Sequence, residues 1–249
     1  MPDDALGTTD WPGDLVTCKR ALLLFARLPR LGQVKTRLMP RFNAEEALAL
    51  HRALLTDSLD LLHRCGESVG AECRLYLSEE GGLDSEIGAH LGSTTPRIQQ
   101  GSDLGERLQH AFQECLGDGH RELVILGSDS PHLPAGYVVR AFDELGKAEI
   151  VVGPARDGGY YLLGASRLHP ALLADMPWGT SQLYRETVRR ARREGIPISS
   201  LPAWYDVDLP ESVAQLWQDL SLRRSRDETD VPQACFMLLE AWSRDGKLA

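Results

Sequence analysis

Several kinds of segment are missing from this 249-residue chain, and each absence closes a class of function. No apolar run approaches the ~18 residues of a membrane span; the longest, Ala21-Leu-Leu-Leu-Phe-Ala26, has the length of a buried strand. The stretch Met1 to Asp10 carries neither a basic start nor an apolar core, so no secretory signal is expected and the expected location is cytoplasmic. The five cysteines (Cys18, Cys65, Cys73, Cys115 and Cys235) form no Cys-x-x-Cys pair, and the histidines form no His-x-x-x-His pair. They predict reduced thiols, with no disulfide frame and no zinc or haem site. Repeats and low-complexity tracts are also lacking.

Charge is present but unevenly spread. The formal net charge of −9 argues against a general nucleic-acid binder. From Leu15 to Ala44, however, there is no acidic residue, while Lys19, Arg20, Arg27, Arg30, Lys35, Arg37 and Arg41 supply seven positive charges. A basic island in an acidic chain points to a small-anion site, phosphate above all.

The order of elements predicts an α/β fold. A buried strand over Leu22–Phe25 is followed by a loop with Pro29 and Gly32, then by a helix that Asn43 and Glu46 open as a capping box. Further strands are expected at Cys73–Leu77, Leu123–Leu126, Ile150–Val152, Tyr160–Leu163 and Ile196–Leu201. Helices are expected from Asp103 to about Leu116, Pro134–Leu145, Ser181–Glu194, Glu211–Leu220 and Ala234–Trp242. This alternation predicts a mostly parallel sheet sandwiched by helices, with one antiparallel strand or hairpin near residue 150. Three regions are expected: a loose lead-in over 1–18, the main domain over 19–221, and a polar linker with a short helix over 222–249. In such sheets ligands bind beyond the carboxyl ends of the strands, which directs attention to the loops after Phe25, Leu126 and Val152.

Four constellations lie on such loops. In Phe25-Ala-Arg-Leu-Pro-Arg-Leu-Gly-Gln-Val-Lys-Thr-Arg37, one glycine and four cations follow a strand, which suits an oxyanion; the alternative is a solvated basic loop. It matches neither a P-loop nor a G-x-G-x-x-G fingerprint. In Gly127-Ser-Asp-Ser-Pro131, Asp129 stands where a carboxylate can hold a divalent cation, or else where it can cap a turn. In Asp206-Val-Asp208 the two carboxylates point to opposite sides of an extended segment, and Asp208 with Glu211 also fits a capping box. Gly153-Pro-Ala-Arg-Asp-Gly-Gly-Tyr-Tyr161 and Pro177-Trp-Gly-Thr-Ser181 read as a hairpin turn and a loop, or as an acceptor site whose aromatic faces stack on a polyol.

Taken in order, these motifs, with Asp103-Leu-Gly-Glu-Arg107, resemble the DUF2064 family. It lies in the GT-A-fold (Rossmann-like) nucleotide-diphospho-sugar transferase superfamily, and some of its members are labelled for arsenosugar biosynthesis. The resemblance spans about residues 20 to 220 and implies a GT-A-like fold. It also implies that Arg27, Gly32, Lys35 and Arg37 hold nucleotide phosphates, and that Gln100, Gly101 and Asp103 lie near the base or ribose. Asp129 and Asp208 would hold Mg²⁺ or Mn²⁺, with Asp129, Lys35 and Asp157 at the chemistry. Asp157, Gly158, Gly159, Tyr160, Trp178, Thr180 and Ser181 would meet a small-molecule acceptor.

The expected reaction is sugar transfer from a nucleotide sugar with a divalent cation. The alternatives are nucleotidyl transfer from a nucleoside triphosphate, resembling a phospholactate guanylyltransferase, and a nucleotide-binding module without catalysis. Sugar transfer is preferred on the acceptor side. Tyr160, Tyr161 and Trp178 offer stacking faces, and Arg156 is expected to pair with the adjacent Asp157.

Overall fold

A computed structural model describes residues 19–39 and 41–248; the lead-in over 1–18, with Cys18, lies outside the described residues. The strands are β1 (Arg20–Ala26), β2 (Ala71–Leu77), β3 (Arg97–Ile98), β4 (Glu122–Gly127), β5 (Ile150–Pro154), β6 (Tyr160–Ala165) and β7 (Ile198–Ser200). They form one sheet in the order β3-β2-β1-β4-β6-β5-β7. Only β6 runs against the others, pairing antiparallel with both β4 and β5. The expected mostly parallel α/β sheet of GT-A type, with one antiparallel strand, is what the chain forms.

The helices are α1 (Ala44–Val69), α2 (Ser85–Gly88), α3 (Leu104–Gly117), α4 (Ala135–Leu145), α5 (Leu183–Glu194), α6 (Pro210–Ser225) and α7 (Gln233–Arg244). The run that makes β1 apolar on both faces suits its place inside the sheet, between β2 and β4. Leu22, Leu24 and Ala26 pack with α1 and α4, while Ala21, Leu23 and Phe25 pack with α3 and the outer strands. The α1 capping box is complete, because Asn43 Oδ1 accepts from the Glu46 N–H at 2.8 Å and the Glu46 carboxylate accepts from Asn43 N–H at 2.9 Å. At its other end Gly70 adopts the left-handed conformation that terminates the helix.

A third apolar cluster joins the far side of α1 to α6 and α7 through Leu50, Leu54, Val213, Leu216, Leu239 and Trp242. Helix α6 continues to Ser225, so it crosses residue 222, where a linker was expected to begin. Asp57 of α1, itself buried, accepts from two of the free N–H groups in the first turn of α7, Ala234 at 3.0 Å and Cys235 at 2.7 Å. Among the described residues no helix is long and apolar enough to cross a membrane.

Because β1 to β4 are parallel, their carboxyl ends share one edge of the sheet. A cleft opens there, at the edge where sheets of this kind bind ligands.

Candidate functional site

A cleft of about 710 Å³ lies beyond β1, β2, β3 and β4. Its walls carry Arg27, Lys35, Arg37, Arg107, Asp129 and Asp208, together with Gln33, Thr36, His51, Ser78 and Gln99. The seven cations of the basic island do not act together. Arg27, Lys35 and Arg37 reach the cleft, whereas Arg30 pairs with Glu79 and Arg20 pairs with Glu122 where β1 begins. The turn that redirects the chain after β1 closes from Gln33 N–H to the Arg30 carbonyl at 3.1 Å, with Gly32 at φ 72°. That φ favours glycine.

Lys35 is the centre of the constellation. Its ammonium donates to Asp129 Oδ1 at 2.5 Å, Asp208 Oδ1 at 2.7 Å and the Val207 carbonyl at 2.8 Å. An ammonium has three hydrogens, so all are used, and the side chain is only 4% exposed. Burial works against its charge, but the two aspartates outweigh it and raise its pKa. Asp129 is lowered in return: burial works against the carboxylate and the Lys35 charge prevails. The geometry therefore gives Lys35 to the two carboxylates and leaves Arg27, Arg37 and Arg107 as the other cations on the cleft wall.

The Asp206–Asp208 segment splits as its alternation requires. Asp208 faces Lys35, with Arg37 at 3.8 Å from its other oxygen. Asp206 faces the opposite way, 2.6 Å from Ser130 Oγ. Burial pushes the Asp206 carboxyl up to about 7, the Ser130 hydrogen bond opposes this, and the charges of Asp129, Asp157 and Asp208 add to it. The expected cap at Asp208 is corrected. Helix α6 starts at Pro210, and the Ser212 hydroxyl accepts from the Asp208 and Leu209 N–H groups, each at 3.0 Å. A nearer hydroxyl does the capping, and the Asp208 carboxylate is free for Lys35.

Gln100, Gly101 and Asp103 line an adjoining open cleft with Glu106, His110 and Asp175 instead of the main one. Asp103 caps α3 by accepting from Glu106 N–H at 2.8 Å. Gly101 has φ 138°, and a Cβ there would lie 2.6 Å from that of Glu106. Its carbonyl accepts from Arg107 Nε at 3.1 Å, which aims Arg107. Sequence reading missed Gln99, one residue before its own choice. Both Gln99 amide hydrogens go to backbone carbonyls, Ala26 at 3.3 Å and Tyr76 at 3.0 Å, so the side-chain oxygen is the group left to accept from a ligand. His51 was missed as well. Its Nε2 meets the Arg27 carbonyl at 3.0 Å and so carries the hydrogen, while burial lowers its pKa and keeps the ring neutral. No local pattern marks either residue; only position at a strand end could have found Gln99.

Where an acceptor was expected, the β5–β6 hairpin closes as expected from Asp-Gly-Gly. Asp157 Oδ1 accepts from Gly159 N–H at 2.9 Å, and Gly158 N–H bonds the Ala155 carbonyl at 3.0 Å. Gly158, at φ 94°, lies against Ser181, whose carbonyl oxygen would be 2.1 Å from an added Cβ. The hairpin and the Trp178–Ser181 loop are therefore one surface, with Asp157, Thr180 and Ser181 exposed. Of the aromatics there, Tyr160 and Trp178 are half-buried and Tyr161 is buried. The Tyr160 hydroxyl bonds Thr187 at 2.6 Å, its ring meets Trp178 edge-on at 6.2 Å, and Tyr161 is buried with its hydroxyl on the Pro202 carbonyl at 2.9 Å. None lines the main cleft. The expected Arg156–Asp157 pair is also corrected: among the described ion pairs Arg156 has no carboxylate, and its guanidinium lies 5.4 Å from the Tyr205 ring.

A GT-A-like sheet with a cationic cleft at its parallel carboxyl edge defines a nucleotide-diphospho-sugar transferase-like protein, a transferase by class. The chain belongs to the DUF2064 family, described as an uncharacterized protein family conserved in bacteria, whose profile matches residues 61–180. A crystal structure from Desulfovibrio desulfuricans G20, of a "putative nucleotide-diphospho-sugar transferase", is 31% identical with a TM-score of 0.77, covering 93% of this chain and 97% of that one. The 2-phospho-L-lactate guanylyltransferase of Methanothermobacter thermautotrophicus is 26% identical over 190 residues, covering 75% of this chain and 80% of that protein. A cytidylyltransferase from Leptospira borgpetersenii shares the fold, with a TM-score of 0.53 at 14% identity, over 93% of this chain and 96% of its own.

Proposed function

We propose that this protein is a nucleotidyltransferase, taking a nucleoside triphosphate and a small anionic acceptor and releasing pyrophosphate. The observation that carries this reading is the acceptor side. The three aromatics that favoured a sugar are engaged by the protein itself, Tyr161 buried and Tyr160 and Trp178 half-buried and edge-on to each other, whereas Arg156, beside the Asp157 hairpin, keeps a guanidinium without a carboxylate partner among the described ion pairs. The likeness to the Methanothermobacter guanylyltransferase supports the same chemistry.

The cleft's own residues divide the work. Arg27, Arg37 and Arg107 hold the phosphates with charge-assisted bonds and stabilise the charge that builds on the leaving pyrophosphate. The acceptor oxygen, placed by the 157–159 hairpin and the 178–181 loop, attacks the α-phosphorus. The bond to the β-phosphate breaks, and its electron pair leaves with pyrophosphate. An acceptor that is already anionic needs no proton removed, so placement supplies much of the rate.

Asp129 and Asp208 offer hard oxygen donors that fit Mg²⁺ or Mn²⁺ shared with phosphate oxygens. Among the described residues no group of three His, Cys, Asp or Glu side chains forms a full cage. Such an ion would neutralise phosphate charge at the reacting end. Sugar transfer is the second reading, favoured by the likeness to the Desulfovibrio protein over most of both chains. Incubation with Mn²⁺, a cell extract as acceptor source and either triphosphates or nucleotide sugars separates the two. Pyrophosphate from a triphosphate is the expected product. Nucleoside diphosphate from a sugar donor alone would replace this reading with the second.

A further inference from the structure

We propose that Lys35 is a built-in cation that closes the Asp129–Asp208 pair in the nucleotide-free protein, so that a divalent ion enters this site only together with a nucleotide's phosphates. The inference rests on the nucleotide-binding reading of the cleft but concerns what the empty protein does to metal. Its basis is a count of bonds. Lys35 Nζ contacts one oxygen of Asp129, one of Asp208 and the Val207 carbonyl, at 2.5, 2.7 and 2.8 Å, and no ammonium hydrogen remains. The bridge ties the loop after β1 to the loop after β4 and to the segment before α6, at separations of 94 and 173 residues. The ammonium thus sits between two carboxylates from different segments, the place where a shared divalent ion would also gain most.

The backbone is shaped for this contact. Lys35 has φ 49° and ψ 36°, a left-handed conformation that costs a side-chain-bearing residue free energy and persists where surrounding contacts fix it. Two negative charges against one positive leave a single net charge on the trio, and Arg37 lies 3.8 Å from the outer Asp208 oxygen. A divalent ion approaching the empty protein therefore meets two cations and carboxylates already engaged. A bound triphosphate reverses that balance by bringing several negative charges and its own oxygen ligands, as hard cations in phosphate sites prefer.

The test is to follow free Mn²⁺ by electron paramagnetic resonance while titrating nucleotide-free protein. The wild type is expected to leave the free signal unchanged at micromolar metal. Lys35→Met, similar in length but uncharged, is expected to gain a site at least about tenfold tighter. The double variant Lys35→Met with Asp129→Asn should lose it again. Tight uptake by the wild type that Asp129→Asn removes would overturn the proposal, and so would a folded Lys35→Met that gains no site. Should Lys35→Met fail to fold, Lys35→Gln takes its place, and a folded Lys35→Gln that gains no site overturns the proposal in the same way. Calorimetry with a triphosphate keeps the two readings apart. If the wild type binds both triphosphate and Mn²⁺ alone, the built-in cation fails and the nucleotide site stands; if it binds no triphosphate, the nucleotide reading fails and the Mn²⁺ titration still decides the clamp.

Discussion

His132 should make this protein acid-sensitive by an amount that can be worked out. Its ring is 2% exposed, lies 4.2 Å from the Tyr205 ring and 5.5 Å from that of Trp204, and has no hydrogen-bond partner at either nitrogen. Burial lowers its pKa to about 3, with Arg223 and Arg156 adding to the effect. In the unfolded chain the imidazole titrates near its ordinary 6.5. Below that value the unfolded state binds a proton that the folded state refuses, so stability falls with pH from about 6.5 downward. One proton refused over that interval costs about 1.4 kcal/mol per pH unit, or about 2 kcal/mol by pH 5. Other groups contribute to acid unfolding, so the measurement must be a difference. His132→Phe keeps a ring between Trp204 and Tyr205 and removes both unpartnered nitrogens. Urea unfolding at pH 8 and pH 5 should show the wild type losing about 2 kcal/mol more than the variant. Equal losses would mean that His132 is protonated or hydrated in the folded protein, and the reasoning from burial would be refuted.

Asp57→Ala leaves two buried N–H groups of α7 without an acceptor, and urea unfolding should show a loss of about 3 kcal/mol, with Asp57→Asn losing less. Gly158→Ala forces a Cβ into the Ser181 backbone at a positive φ, so transfer should fall steeply while calorimetric nucleotide affinity is kept. Arg27→Ala with Arg37→Ala should weaken triphosphate binding by at least about tenfold. Its melting temperature should hardly move, because exposed charges contribute little to folding.

What could be read from the sequence was local. The strands β1 and β4, the Asn43 cap and the Asp-Gly-Gly turn each depend on neighbours a few residues away, and each forms as expected. Strand β3 has two residues and α2 has four, too short to show any periodicity. The opposite faces of Asp206 and Asp208 followed from strand alternation, but the partner of each did not. Lys35 meets Asp129 because the sheet order brings β1 and β4 side by side, and Asp208 because the Val207 N–H ties that segment to the Asp129 carbonyl. The tyrosines of β6 misled for a physical reason. An interior strand covered on both faces leaves little of two successive side chains exposed, so half-buried Tyr160 and buried Tyr161 both satisfy their hydroxyls on the protein. Arg156 was assigned to its sequence neighbour, whereas hairpin geometry turns Asp157 to its own loop and leaves the guanidinium over Tyr205.

The central claim is that the cleft beyond β1 and β4 takes the phosphates of a nucleotide. Crystals soaked with Mg²⁺ and a triphosphate that cannot be cleaved between its α- and β-phosphates test it most directly. Phosphate density among Arg27, Arg37 and Arg107, with the α-phosphate turned toward the 157–159 hairpin, is the predicted result. A fully occupied triphosphate bound elsewhere, with this cleft empty, would contradict it.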